Sequence, residues 1–241
     1  RFKDDIKKGY TYNFPLMAEG TDAEVTPGTV PTPSDLLGTA PSITIDQWRV
    51  AAAEISDMAE IEDPVGYLEE AAKSCSYRIR KRIDTKLGSL FSALAAASVY
   101  GSDGQTFTDT IWRALTETLD EADVPDSPRF LIGDPSMKSD VLDIDKFITT
   151  NYGGGGEIKT GEIGEKYGVK VLITNNLTAA TTGNYGVLMH QEALGMIIQQ
   201  NPRSQVVKMA QEYRTLILVD VIYGVGELRD AFGKSFYTRS A

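Results

Sequence analysis

The sequence predicts an α+β fold. Leu68, Ala72, Cys75, Ile79, Ile83, Leu87, Leu90 and Leu94 follow at spacings of 4, 3, 4, 4, 4, 3 and 4, one apolar stripe at the helical period. Residues 10–18 alternate instead at the strand period, with Tyr10, Tyr12, Phe14 and Leu16 on one face and Thr11 and Asn13 on the other. Helical and strand segments are mixed along the chain without the regular alternation of βαβ units, which separates α+β from α/β.

Pro15 argues that the first strand lies at a sheet edge, because proline cannot donate to a ladder. A second strand is expected over 42–57, through Ile43, Ile45, Gln47 and Arg49. Between the two lie Pro27, Gly28, Pro31, Pro33, Gly38 and Pro41, and the Pro27-Gly28 pair is a turn signal. The result is a long acidic hairpin with too little apolar surface to fold on itself. It must rest on something else. Asp63 and Pro64 then have the pattern of an N-cap acid and a proline at the first helical position. A helix over 64–97 would be about 50 Å long at 1.5 Å per residue. A second helix is expected over 109–122 with Ile111, Leu115 and Leu119 inward, then a buried strand over 129–133. Asp134-Pro135 opens a short helix to about 145, 153–156 reads as a flexible glycine loop, and 169–174 as a buried strand. Residues 187–200 and 206–223 read as two further strands, and the run from Leu216 to Ile222 is the strongest strand signal.

The chain has 241 residues, which fits one large domain or two modest ones. One cysteine, Cys75, and one histidine, His190, exclude an internal disulfide and a Cys/His zinc site. A single cysteine suits a reducing compartment. The longest uncharged apolar stretch, 87–101, is shorter than the roughly 20 residues of a membrane span. The chain opens on Arg1 instead of Met, the expectation for a processed or trimmed product whose N-terminus lies upstream. Net charge is −10, unevenly spread: residues 1–62 carry 5 basic and 11 acidic side chains, and residues 63–86 carry 6 basic and 4 acidic. An acidic chain grips nucleic acid poorly, since phosphate contacts need Lys and Arg.

The motifs that suggest chemistry are weak. Gly153-Gly-Gly-Gly-Glu-Ile-Lys159-Thr160 misses the second glycine of a phosphate-cradling loop, with Ile158 in its place. Gly224-Val-Gly226 continues to Arg229 where a dinucleotide fingerprint needs a third glycine. His190 lies in a strand with no G-x-S-x-G serine in the chain, and reads as a structural histidine. Asp140, Asp143 and Asp145, like Asp120, Glu121 and Asp123, are expected on solvated helix faces. No cofactor, metal or catalytic residue is expected. The long helix is different: Arg78, Lys81 and Arg82 flank one side of its apolar stripe, and Lys73 and Arg80 the other. That strip reads either as an ordinary soluble surface or as a docking strip for an acidic partner.

The order of these elements resembles the tailed-phage major capsid protein, the Hong Kong 97-like coat fold. Ser42-Ile-Thr-Ile-Asp-Gln-Trp-Arg49 is similar to the strand returning from that family's extended E-loop. Residues 68–97 resemble the spine helix of its peripheral (P) domain, and Arg129-Phe-Leu-Ile-Gly-Asp-Pro-Ser136 a strand of its axial (A) domain entering a Pro-capped helix. Residues 162–173 look like the hairpin beyond it, and 219–230 like the chain's return into the A-domain. Some members weld their shells through a Lys–Asn bond from the E-loop, and no Lys lies between Met17 and Ser42 here.

The resemblance implies an E-loop hairpin with its flanking strands over 1–60. It also implies a P-domain over 61–105 with 196–222, and an A-domain over 106–195 with 223–241. It implies a non-enzymatic protein that assembles with itself into hexamers, pentamers and an icosahedral shell around double-stranded DNA. Portal and scaffolding proteins are the implied partners, the DNA is contacted weakly on the inside, and no membrane is involved. The implied location is the virion, assembled in the host cytoplasm. An encapsulin-type nanocompartment of the same fold is the alternative, and the residue inventory argues against a hydrolase or nucleotide-binding enzyme. Glu19, Asp22 and Glu24 of one copy facing Arg78, Lys81 and Arg82 of another form the expected assembly contact.

Overall fold

The apolar stripe of the long helix finds its partner in a four-stranded sheet. The computed structural model describes residues 2–3, 10–17, 24, 30, 38, 40–62, 66–94, 99–144 and 165–239. In chain order the first elements are β1 (Phe2–Lys3), β2 (Thr11–Asn13), β3 (Ser42–Thr44), β4 (Gln47–Ser56), α1 (Asp57–Ile61) and α2 (Tyr67–Gly88). They continue with α3 (Asp109–Glu121), β5 (Arg129–Gly133), α4 (Pro135–Leu142), β6 (Glu165–Lys166), β7 (Val169–Ile173) and β8 (Asn184–His190). The last three are β9 (Leu194–Met209), β10 (Arg214–Glu227) and β11 (Gly233–Thr238). One sheet has the order β1-β9-β10-β4, the other β11-β8-β5-β7-β6, and β2 pairs only with β3. The α+β expectation holds.

Helix α2 lies on the first sheet. Cys75 and Ile79 are buried against Ala51, Val219, Val221 and Tyr223, with Ile83 and Leu87 packed at the edge of the cluster. The helix is shorter than its stripe suggests, 22 residues or about 33 Å. It begins after Gly66, whose φ of 76° suits a residue without Cβ; the expected cap at Asp63 and Pro64 lies outside the described residues. It ends at Gly88, where a Cβ would stand 2.8 Å from the backbone oxygen of Asn176. Beyond it the chain tightens into turns, because Phe91 and Leu94 must reach a second cluster with Val187, Ala193 and Leu194. The Ser235 hydroxyl shares its one proton between the carbonyls of Phe91 and Leu94, at 2.7 and 3.0 Å.

The second sheet carries α3 and α4 on one face. Ile111, Trp112, Leu115 and Leu119 of α3 bury against Leu131, Met137, Val141 and Phe236. Asp134 caps α4 as expected, accepting from the Met137 N–H at 2.9 Å. The same carboxylate accepts from Ser136 (2.8 Å), Asn184 (2.9 Å) and Thr238 (3.0 Å), so it ties α4 to β8 and β11.

Several expectations change. Residues 42–57 form two strands, because β3 leaves the sheet line to pair with β2, with Thr11 opposite Thr44 and Asn13 opposite Ser42. The expected strand over 187–200 is two strands in different sheets, divided by a turn in which the Ala193 N–H bonds to the His190 carbonyl at 3.1 Å. The run is apolar on both sides of that turn, so periodicity carries no sign of it. Residues 206–223 likewise contain a hairpin turn whose left-handed residue is Tyr213 (φ 50°), with no Gly, Pro or Asn to mark it. Asp140 is not on a solvated face: it is buried and accepts from the Phe107 N–H at 2.9 Å while pairing with Arg239 at 2.7 Å. Asp120 is half-exposed but pairs at 2.6 Å with Arg129, which is itself buried. Asp143 is exposed as expected, while Asp145 and the 153–156 loop lie outside the described residues.

Two predictions follow from these carboxylates. Replacing Asp134 by Ala strands several buried donors, and urea unfolding should show a loss of about 2–4 kcal/mol. Asp220 accepts from Gln200 and, bidentately, from Arg203, and chiefly the Arg203 hydrogen bonds hold its carboxyl below the usual range. Its contribution is therefore present above the unfolded carboxyl value and lost as pH falls through the lower folded one. Asp220→Asn should flatten the decline of the urea midpoint below about pH 4.

Candidate assembly interface

Because α2 turns its stripe inward, its basic residues point out. Arg78, Lys81 and Arg82 are all exposed and share one flank, as expected. Lys73 is satisfied by Glu69 one turn earlier, at 2.7 Å. No carboxylate among the described residues pairs with Arg78, Arg80, Lys81 or Arg82. Of the expected acidic partners, Glu24 is exposed, while Glu19 and Asp22 lie outside the described residues. The structure thus groups the three cations and does not bring Glu24 to them within one chain.

The hairpin has a packed base, and beyond it the described residues Met17, Glu24 and Val30 are exposed. Tyr12 and Phe14 turn inward against Ile43, Ile45, Ile197 and Leu228. Past the β2–β3 ladder the two arms stay together, with the Phe14 N–H on the Pro41 carbonyl at 2.9 Å and the Gly38 N–H on the Leu16 carbonyl at 3.1 Å. Tyr10, which the alternation places on the face of Tyr12 and Phe14, is 68% exposed, and Met17 and Val30 are exposed at 81% and 90%. The ladder begins only at Thr11, so Tyr10 precedes the segment that the core covers.

A further surface was not expected from the sequence. Strand β4 alternates between Ala51 and Ala53, which face α2, and Trp48 and Val50, which face away. The ladder aligns Leu216 and Leu218 of β10 and Val207 and Met209 of β9 on that same outer face. Trp48 is 69% exposed and Val50 52%, so the part of this apolar face beyond Ile222, where the hairpin base packs, has no cover within the described residues. The charges on it are paired among themselves, Arg203 with Asp220 and Arg214 with Glu54. Apolar residues on both faces of one strand were the available signal.

Among the described residues no cluster of His, Cys, Asp and Glu could hold a metal ion. An apolar cleft of about 430 Å³ between the end of α2 and the second sheet is lined by Leu87, Phe91, Phe130, Leu172, Met189 and Leu194. Asp84 lies on its rim, and burial pushes its carboxyl up. His190 is elsewhere, buried edge-on to Phe232 and accepting the Glu192 N–H at Nδ1 (3.2 Å). Gly224 is explained by contact: a Cβ there would stand 2.4 Å from the Thr44 oxygen, where β3 crosses β10. Lys159 lies outside the described residues.

The sequence was then set beside known proteins. A family model described as "Phage capsid protein" matches residues 38–229, most of the chain. The chain belongs to the phage capsid protein family. Membership makes it a virion component. Among solved structures it is similar to the capsid of cyanophage P-SCSP1u, with TM-score 0.79 and 18% identity over 100% of this chain and 86% of that one. It is similar also to a chain of Mycobacterium phage Che8, with TM-score 0.77 and 16% identity over 95% and 85%. A virus-like particle from Pyrococcus furiosus is a weaker likeness, with TM-score 0.59 and 12% identity over 98% and 88%. No curated protein matches. The shared fold is the Hong Kong 97-like coat fold of a phage major capsid protein.

The exposed sheet face yields a stability prediction. Val207→Ser, at a side chain 43% exposed, should cost less than about 1 kcal/mol of stability by urea unfolding. Val219→Ser, on the buried face of the neighbouring strand, should cost about 2 kcal/mol or more.

Proposed function

We propose that this capsid protein self-assembles into hexamers and pentamers of the icosahedral shell of a tailed double-stranded-DNA phage. The observation that carries the reading is that the chain leaves three surfaces unsatisfied at once. They are the exposed hairpin residues Met17, Glu24 and Val30, the basic flank of α2 and the outer face of the first sheet. A monomer has no use for such surfaces, and a lattice of copies can cover each with another. In this reading residues 1–60 are the E-loop with its flanks, 61–105 and 196–222 the P-domain, and 106–195 and 223–241 the A-domain. The shared core of α2 with β9 and β10 supports the P grouping, and that of α3, α4, β5, β8 and β11 supports the A grouping.

The protein acts by geometry and has no catalytic step. Each acidic hairpin lies across a neighbour, with Glu19, Asp22 and Glu24 meeting Arg78, Lys81 and Arg82. Portal and scaffolding proteins complete the assembly in the host cytoplasm, and the net charge of −10 keeps the lining from gripping the packaged DNA. The likeness to the Pyrococcus particle supports a second reading, a nanocompartment shell of the same fold. Its lower TM-score favours the phage reading. Particles that copurify with DNA and portal protein support the first reading, and particles that enclose an enzyme support the second.

The decisive variant replaces residues 19–40 by a short Gly-Asn turn. The base of the hairpin keeps its contacts, so circular dichroism should be unchanged while sedimentation shows no closed shells. Shells formed at normal yield would reduce the hairpin to decoration.

A further inference from the structure

We infer that the apolar cleft between the end of α2 and the second sheet binds a small amphiphile, an apolar body with one ammonium group that pairs with Asp84. The floor is the face of the second sheet turned away from α3 and α4. Strand β5 alternates, with Leu131 buried on the helix side and Phe130 and Ile132 half-buried on the other. The ladders set Met189 of β8 beside Phe130, and Leu172 of β7 beside Ile132, so four apolar side chains share one surface. Leu172 is 47% exposed there. Leu87, near the end of α2, and Phe91, in the turns after it, form the wall, and Gly88 brings that wall against the backbone at Asn176. The space is about 430 Å³, within the range of roughly 300–1,000 Å³ that small-molecule sites occupy.

Asp84 decides the class of ligand. It is the one ionisable side chain on the lining, one turn before Leu87 and Gly88. Arg80 and Lys81 stand one turn earlier still, yet neither pairs with it, and no donor among the described residues bonds to it. The apolar surroundings push its carboxyl up, so the charge stands at the rim without a counterion. An ammonium carried in by a ligand supplies that counterion, while the hydrocarbon body covers Phe130 and Leu172.

An anionic occupant meets the wrong sign. The hairpin arms of a neighbouring copy are disfavoured on the same ground, because residues 18–41 contain Glu19, Asp22, Glu24 and Asp35 and neither Lys nor Arg. The position of the cleft gives occupancy a consequence. Leu87 packs with the first sheet, and Ile132 and Met189 pack at the second. A molecule held between them fastens the two sheets together.

The test titrates unassembled full-length protein with 4-phenylbutylamine by isothermal calorimetry. Saturable binding is expected, with a dissociation constant between about 1 μM and 1 mM. The urea midpoint should rise with the amine until the site is full. 4-Phenylbutyrate, of the same shape and opposite charge, should bind about tenfold more weakly or worse. Butylamine, with the charge but no ring, should show no measurable binding. Asp84→Asn should remove the preference for amine over acid, and Leu172→Ser should weaken the amine about tenfold. Both side chains are exposed, so both variants should unfold like wild type; should either misfold, the two phenyl compounds on wild-type protein still decide. Equal binding of amine and acid, an amine affinity that Asp84→Asn leaves unchanged, or no saturable binding overturns the proposal. Leu172→Ser that impairs shell assembly while the amine fails to bind also overturns it, and assigns the cleft to a contact between copies.

Discussion

Everything in the molecule depends on how closely α2 can approach the sheet beneath it. Ala51 and Ala53 of β4 carry the smallest side chains that still cover the backbone, and Cys75 fits against them fully buried. A larger residue at either alanine would lift the helix and open the cluster at Val219, Val221 and Tyr223. The close seating has two consequences. It fixes which flank of α2 faces solvent, so Arg78, Lys81 and Arg82 point outward together. It also satisfies only one face of the three long strands, leaving Trp48 and Val50 uncovered on the other.

The two sheets are joined by short, specific contacts. Gly88 lets the end of α2 press on the backbone at Asn176, and the Ser235 hydroxyl closes the carbonyls of the turns that follow. Asp134 holds β8, β11 and α4 with one carboxylate, and Asp140 holds Arg239 beyond the last strand. These are buried, fully partnered acids, and they make the second sheet a rigid unit. The hairpin is the opposite case. Its base is fixed by Tyr12, Phe14 and Ile43, while Met17 and Val30 have nothing to pack on within the described residues. A protein built this way keeps its stability inside and its binding capacity at the periphery.

The difference between the acidic groups explains why composition alone misleads. Asp140 and Asp143 look alike in sequence, and one is buried with two partners while the other is exposed. Charge counts describe the average surface, and only the fold shows which charges lack a partner. Arg49 and Arg203 make the same point. Both lie in the long-stranded sheet, but Arg203 grips the Asp220 carboxylate bidentately and Arg49 donates twice to the neutral Gln47 amide.

The sequence by itself determined the fold class, the family likeness and most of the helix and strand positions. Strong local signals did this: the stripe from Leu68 to Leu94, the alternation of Tyr12, Phe14 and Leu16, and the Asp134-Pro135 cap. The outward strip of Arg78, Lys81 and Arg82 was equally legible, because helical geometry follows from spacing alone. Tertiary structure decided the rest. The break at Gln191 and the turn before Tyr213 have no glycine, proline or asparagine to mark them, and the apolar stripe runs on past Gly88, where α2 ends. The outer sheet face belongs to the same class. It joins β4 to strands more than 100 positions later in sequence, and only the ladder register brings them together.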